Sequence, residues 1–311
     1  MLPVFEAAGD RVGQARARLR LGQQRQLAGR HEEADRELVR ALGHAVAAGA
    51  EPERAAALGA VGVSLWRGPE PVAAAVGRCR ALLAEHGGGR PTVGVTLNCP
   101  LAVLLALHDR PARALAALDE AERLSAGLSY AEAKVFLPVF RATVHTLAGR
   151  RSEALRLLAA ADEEAVRLGA AGMRCAIALE AGRLLLDDGR PAEAARRLAP
   201  AAGAEGLPRA DAVDLTGLWA RLAAASGDER TALAAADEAV AAAALTDSPL
   251  LRATAALDRA RVLAALGRDT GAAAAARSAV EHFTDKGHLP GARAARSLLG
   301  ELTAARTTET I

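Results

Sequence analysis

The sequence predicts an all-α solenoid of about seven antiparallel helix pairs, closed by a C-terminal capping helix. Three observations predict it. Hydrophobic residues make up 51% of the 311-residue chain while aromatics make up only 2%, so the core must be built from Ala, Leu and Val. Ala and Leu lead the helix scale, whereas aromatic and β-branched residues favour strands. Short turns followed by an acid and Ala recur at Gly29-Arg-His-Glu-Glu-Ala34, Gly149-Arg-Arg-Ser-Glu-Ala154 and Gly189-Arg-Pro-Ala-Glu-Ala194, and each reads as one helix ending and another starting. Finally, a small residue precedes each turn at Gly22, Gly62, Ala102, Ala142, Gly182, Ala220 and Ala260, in steps of 40, 40, 40, 40, 38 and 40 residues.

The elements follow from that register. Twelve residues after each small position stands an alanine (Ala34, Ala74, Ala114, Ala154, Ala194, Ala232, Ala272), and seven further on another (Ala41, Ala81, Ala121, Ala161, Ala201, Ala239, Ala279). Two helices joined by a short turn can approach closely only where facing side chains are small, so these positions are expected between the helices of each pair. Residues 1–10 lie forty residues before Ala41–Ala50, with Leu2 over Leu42 and Gly9 over Gly49, and are expected to be the end of a helix B whose own repeat is truncated, the alternative being that they merely cover the first pair. Residues 11–289 then hold the seven pairs. Breaks fall at Gly49, Gly87–Gly89, Gly127, Gly169, Gly206 and Gly287, which suit left-handed helix caps. Leu299-Gly300 repeats Leu21-Gly22 with no partner helix after it, so 290–305 is expected to cap the solenoid and 306–311 to be a disordered tail.

Composition narrows the function. The net charge is +2, without the basic excess that phosphate neutralisation requires, so no direct nucleic-acid binding is expected. Cys79, Cys99 and Cys175 are odd in number and far apart, which argues for a reducing, cytoplasmic setting. There is no signal-peptide pattern at the N-terminus, and the longest uncharged apolar run near the middle, Cys99 to Leu107, is too short for a bilayer.

The spacing of Leu21-Gly22, Ala34, Leu38 and Ala41 resembles the tetratricopeptide repeat, and the likeness covers nearly the whole chain. It departs in its length of about forty residues rather than 34 and in lacking most helix-A aromatics. Repeats of this length resemble the C-terminal sensor regions of bacterial maltose-regulator-like transcription factors and of related signalling ATPases and cyclase-linked regulators. The resemblance implies a right-handed superhelix that binds partners in a groove lined by helix A. Carried onto this sequence, that groove takes in Gln23, Gln26, Val63, Trp66, Cys99, Val103, Phe136 and Val139 in the first half, and Arg183, Asp214, Arg221 and Arg261 in the second.

Several of these residues admit two readings. Arg183, Arg221 and Arg261 share one helix-A position and form a ladder, which either holds an acidic peptide or carboxylate by bidentate bonds or pairs locally with Glu180, Asp214 or Asp258. Trp66 and Phe136 are either anchors for a partner or gap-fillers between helices. Pro100 and Pro138 fall inside helices A, free the carbonyls of Thr96 and Lys134, and predict either adjacent kinks that open the groove or a split helix. Catalytic patterns are weak: His108-Asp109, His282 and His288 have no partner at ligand spacing, no His is placed to activate Cys99, and Asp187-Asp188 reads as solvating a turn. No catalytic residue, metal or cofactor is therefore expected. The expected role is a non-catalytic scaffold for a protein, peptide or small effector, as the sensor module of a bacterial transcriptional or signalling regulator. The alternative is a free-standing adaptor that bridges two proteins or self-associates as a homodimer through its N-terminal end.

Overall fold

The computed structural model describes residues 2–204 and 206–308, which form sixteen helices and no strand. A short α1 (Leu2–Ala7) precedes seven pairs: α2 (Arg11–Leu27) with α3 (His31–Ala47), α4 (Glu51–Arg67) with α5 (Val72–His86), α6 (Pro91–Leu107) with α7 (Pro111–Ser125), α8 (Ala133–Leu147) with α9 (Arg151–Arg167), α10 (Ala171–Asp187) with α11 (Pro191–Ala202), α12 (Arg209–Ala225) with α13 (Glu229–Ala244), and α14 (Pro249–Ala265) with α15 (Asp269–Lys286). The last helix, α16, runs Leu289–Thr308, past the start of the expected tail at 306. Met1 and residues 309–311 lie outside the described residues.

Each pair closes on the small positions. The helix-A residues Gly22, Gly62, Ala102, Ala142, Gly182, Ala220 and Ala260 are all buried, and so is every helix-B alanine of the register except Ala74 and Ala81. There is no room for more: a Cβ on Gly22 would lie 2.6 Å from Leu38 Cδ2, and one on Gly182 would lie 2.7 Å from Leu198 Cδ2. Gly62 serves the next interface along, where a Cβ would lie 2.5 Å from Pro100 Cγ. Helix α6 therefore continues through Pro100, whose ring packs against the preceding repeat, and α8 likewise runs through Pro138.

The turns within pairs share one chemistry, with one exception. At the first, Gly29 adopts φ +72°, and its N–H and that of Arg30 donate to the carbonyls of Gln26 and Arg25, a left-handed cap that satisfies two orphan acceptors. Asp109 does the same at φ 59°, with bonds from Asp109 and Arg110 to Ala106 and Leu105. The exception is the second pair, where 68–71 holds four residues rather than three. The extra residue shifts α5 by one place, so Ala75 and Cys79 face the core while Ala74 and Ala81 face solvent. The expectation for those two alanines is corrected: an alignment at constant period cannot see a local insertion that is absorbed before α6.

The solenoid closes on itself. Neighbouring A helices pack in the sequence α4, α6, α8, α10, α12, α14, and α14 returns to pack against α4, so six inner helices form a ring with the B helices outside. The seam is a set of directional bonds at three successive turns of the N-terminal half. At the first, Asp247 N–H donates to Gly29 O (3.0 Å), and Asp247 Oδ2 accepts from Glu32 N–H (2.8 Å), capping α3, whose own Arg30 provides no side-chain cap. At the second, Ser248 Oγ donates to Arg67 O (2.6 Å) and Lys286 Nζ donates to Leu65 O, Gly68 O and Glu70 O at 3.0, 2.6 and 2.7 Å. At the third, Arg293 at the start of α16 makes a bidentate pair with Asp109 (2.7 and 3.1 Å). Lys286 is 0% exposed, which is tolerable for an ammonium only because all three of its donors find acceptors.

Candidate partner-binding site

The face of the A helices turned into the ring carries a charged centre. Asp258 on α14 is 2% exposed and receives Arg183 Nη1 (2.6 Å), Arg221 Nη1 (3.3 Å) and Arg261 Nη1 (3.5 Å) from three different helices. Arg183 also reaches Asp214 (2.8 Å), and Arg221 and Arg261 share Asp187 Oδ1 at 2.7 and 3.1 Å. Burial alone would raise the Asp258 carboxyl, but the three guanidinium groups outweigh it and hold it below the usual range. Next to this centre, burial pushes the Glu180 carboxyl up to about 7, against hydrogen bonds from Thr143 Oγ1 (3.0 Å) and Thr146 Oγ1 (3.4 Å). Burial also raises Asp214 and Asp211.

The expected groove residues divide accordingly. Arg183, Asp214, Arg221 and Arg261 do come together, and the ladder is neutralised from within by carboxylates, two of which, Asp214 and Asp258, the sequence suggested. Asp187 was expected to solvate a turn; instead it bridges two arginines, because the last turn of α10 points it inward. Cys99 and Val103 are buried in the core between helices and present no surface, a correction that follows from α6 being enclosed by α4, α5, α7 and α8 and buried along nearly its whole length. Val63, Trp66, Phe136 and Val139 are half-buried. Trp66 lies 6.0 Å from Phe140, which lies 6.5 Å from Phe136, itself 5.3 Å from Tyr130, a chain of tilted and edge-on contacts of the kind aromatic rings prefer. Gln26 Nε2 is committed to Ala60 O (2.7 Å) and Ser64 Oγ (2.9 Å) on the next A helix.

Accessible concavity lies at the rim. Beyond the three turns engaged by the seam, the turns at 148–150 and 188–190 stay open to solvent. Three adjoining hollows surround them. One of about 620 Å³ lies between Asp109, Arg150 and Arg293; one of about 490 Å³ is bordered by Gly189, Arg221 and Arg261; and one of about 630 Å³ lies on the outer side, between Arg156 and Arg196. Arg151, which bonds Asp188 Oδ1 at 3.1 Å, lines the first two. This rim is not legible in the sequence, since its residues come from separate turns that only the folded array brings together.

The groups with intrinsic reactivity are muted. Burial pushes the Cys79 and Cys99 thiols up to about 12, far from the thiolate form that reacts. Burial lowers His31 to about 4 and His288 to about 3, leaving both neutral. Among the described residues no group of three or more His, Cys, Asp and Glu is placed to hold a metal ion, and no helix is long and apolar enough to cross a membrane.

Inside two of the pairs a helix-A glycine packs under a helix-B leucine, Gly22 against Leu38 and Gly182 against Leu198, and the small helix-A residue is buried in all seven. The chain is an all-α array of antiparallel helix pairs, tetratricopeptide-like in the spacing of its small residues. Among solved structures the array is similar to BtubC (BKLC) from P. vanneervenii, at 15% identity and a TM-score of 0.47 over 68% of this chain and 87% of that one. It is also similar to the TPR domain of P58(IPK), at 16% identity and a TM-score of 0.30 over 92% and 79%. No protein-family model and no curated protein matches the chain.

Proposed function

We propose that this tetratricopeptide-like array is a non-catalytic interaction scaffold, and that it serves as the sensor module of a bacterial transcriptional or signalling regulator in the cytoplasm. One observation supports this most: the inner face is a closed ring whose charged groups already bind one another across helices, held by a seam of a few polar bonds. Such a ring is suited to two arrangements rather than to bond-making. A peptide or small effector that engages Arg183, Arg221 and Arg261, or the half-buried Val63, Trp66, Phe136 and Val139, competes with the internal pairs and so biases closure. Binding free energy is then converted into curvature.

The reading is tested by affinity purification from the native bacterium, comparing wild type with Arg261→Glu. A stoichiometric partner or effector retained by wild type and released by the variant supports the scaffold. An enzymatic activity that co-purifies with the pure chain and is lost in Glu180→Gln would replace it with a catalytic reading.

A second reading has its own support. Helix α1 has no buried residue and Val4 is 68% exposed, which fits self-association at the N-terminal end. A mass that rises with concentration, and stays monomeric in Val4→Glu, would favour an adaptor that bridges copies.

A further inference from the structure

The three rim hollows are lined by nine arginines and four carboxylates, whereas the whole chain carries only +2. Three more carboxylates, Glu153, Asp162 and Asp258, pair with rim arginines from outside the hollows, which leaves the rim an excess of two positive charges. That excess sits on uncommitted groups: the side chains of Arg150 in the first hollow and Arg196 in the outer one are exposed and make no hydrogen bond or ion pair with any described residue. Others present guanidinium groups already oriented by a neighbour, such as Arg190 on Glu193 at 2.7 Å and Arg197 on Asp162 at 3.0 Å.

We propose that the rim formed by the turns at 148–150 and 188–190 docks an extended acidic peptide segment of a partner, with Arg150 and Arg196 as its two free anchors. This rests on the scaffold reading and names the chemistry of its partner. Arginine suits the task because its planar fork takes a carboxylate bidentately and is weakly hydrated. The interleaved carboxylates set the spacing: Asp187, Asp188 and Glu193 repel an acid placed opposite them, so the segment must alternate acidic with neutral side chains. That same interleaving disfavours nucleic acid, which presents uniform charge along its length. No Phe, Tyr or Trp lines any of the three hollows, so a single strand would find no stacking platform.

The test uses the full chain and a fluorescein-labelled peptide alternating Glu and Ser, with a Gln and Ser peptide and a labelled oligothymidylate as comparators, read by anisotropy over a salt series. Arg150→Glu with Arg196→Glu should weaken the acidic peptide by about tenfold or more and flatten its salt dependence. Arg36→Glu with Arg277→Glu, equally exposed and unpaired but on other helices, should change it less than about twofold. Equal losses in both pairs, or no preference of wild type for the Glu over the Gln peptide, overturns the proposal. Tighter binding of the oligothymidylate that is lost on the rim reversal assigns the surface to nucleic acid instead. A partner recovered from the bacterium that is indifferent to the rim reversal removes this proposal while leaving the scaffold intact.

Discussion

Lys286 Nζ lies 2.7 Å from the carbonyl oxygen of Glu70, 216 residues earlier in the chain. The turn that offers this carbonyl is the one lengthened by a residue, so the irregularity that displaces α5 also supplies acceptors for the seam. Lys286→Met keeps most of the stem and removes all three donors, leaving buried carbonyls unpaired. A loss of about 3–5 kcal/mol in urea-induced unfolding is expected, and a loss below about 1 kcal/mol would mean the ammonium does not hold the ring.

The displaced register makes a sharp contrast between alanines that look alike in sequence. Ala154→Leu, at 0% exposure between α8 and α9, should cost at least about 2 kcal/mol by overpacking. Ala74→Leu, which the unshifted register would place in the same kind of contact, should stay within about 0.5 kcal/mol. Thermal unfolding of the two variants side by side checks both, and equal losses would restore the uniform forty-residue register.

Asp109 combines a strained backbone with a function at the seam. It is the one non-glycine residue with positive φ among those described, an arrangement that costs about 1 kcal/mol or somewhat more for a side chain bearing a Cβ. Asp109→Gly relieves that strain while losing Arg293 and should be close to neutral. Asp109→Ala keeps the strain and loses the pair, and should melt lower than the glycine variant. The reverse order would show that the left-handed backbone at 109 stores no strain for a side chain to relieve.

Acid stability contains opposing slopes. His31 and His288 have folded values of about 4 and about 3 against 6.5 when unfolded, so between pH 6.5 and 4 the unfolded chain binds more protons and stability falls as pH falls. Glu180, at about 7 against 4.5, binds more protons when folded, so it lends stability that is lost as pH rises through 4.5 to 7. Over pH 4.5–6.5 it offsets part of the histidine slope. Glu180→Gln retains an amide for Thr143 and Thr146 and removes the offset, so its denaturation midpoint should fall more steeply with acid than that of wild type. Parallel curves would contradict these assignments.

How much was legible in the sequence depended on the range of the interaction. Small residues at Gly22, Ala34 and Ala41 act within one helix pair, so their spacing exposed the fold and the number of pairs. The arginine ladder was visible because repeats carry equivalent positions into alignment. Its partner Asp187 was missed because a helix end beside glycine reads as solvent-facing until curvature turns it inward. Closure was not legible at all: it depends on small rotations summed over six inner helices, and Lys286 looks like an ordinary basic residue at the end of α15. The rim hollows, which exist only in the closed ring, were hidden for the same reason.

Closure itself is measured most directly by the distance between spin labels at Arg36→Cys on α3 and Leu245→Cys after α13, both exposed sites, in a protein whose own Cys79, Cys99 and Cys175 are buried. Because Asp247 bonds Glu32 across the seam, wild type should show a single narrow, short distance that lengthens and broadens in Lys286→Met. A broad, long distribution already present in wild type would show an open solenoid and contradict the ring.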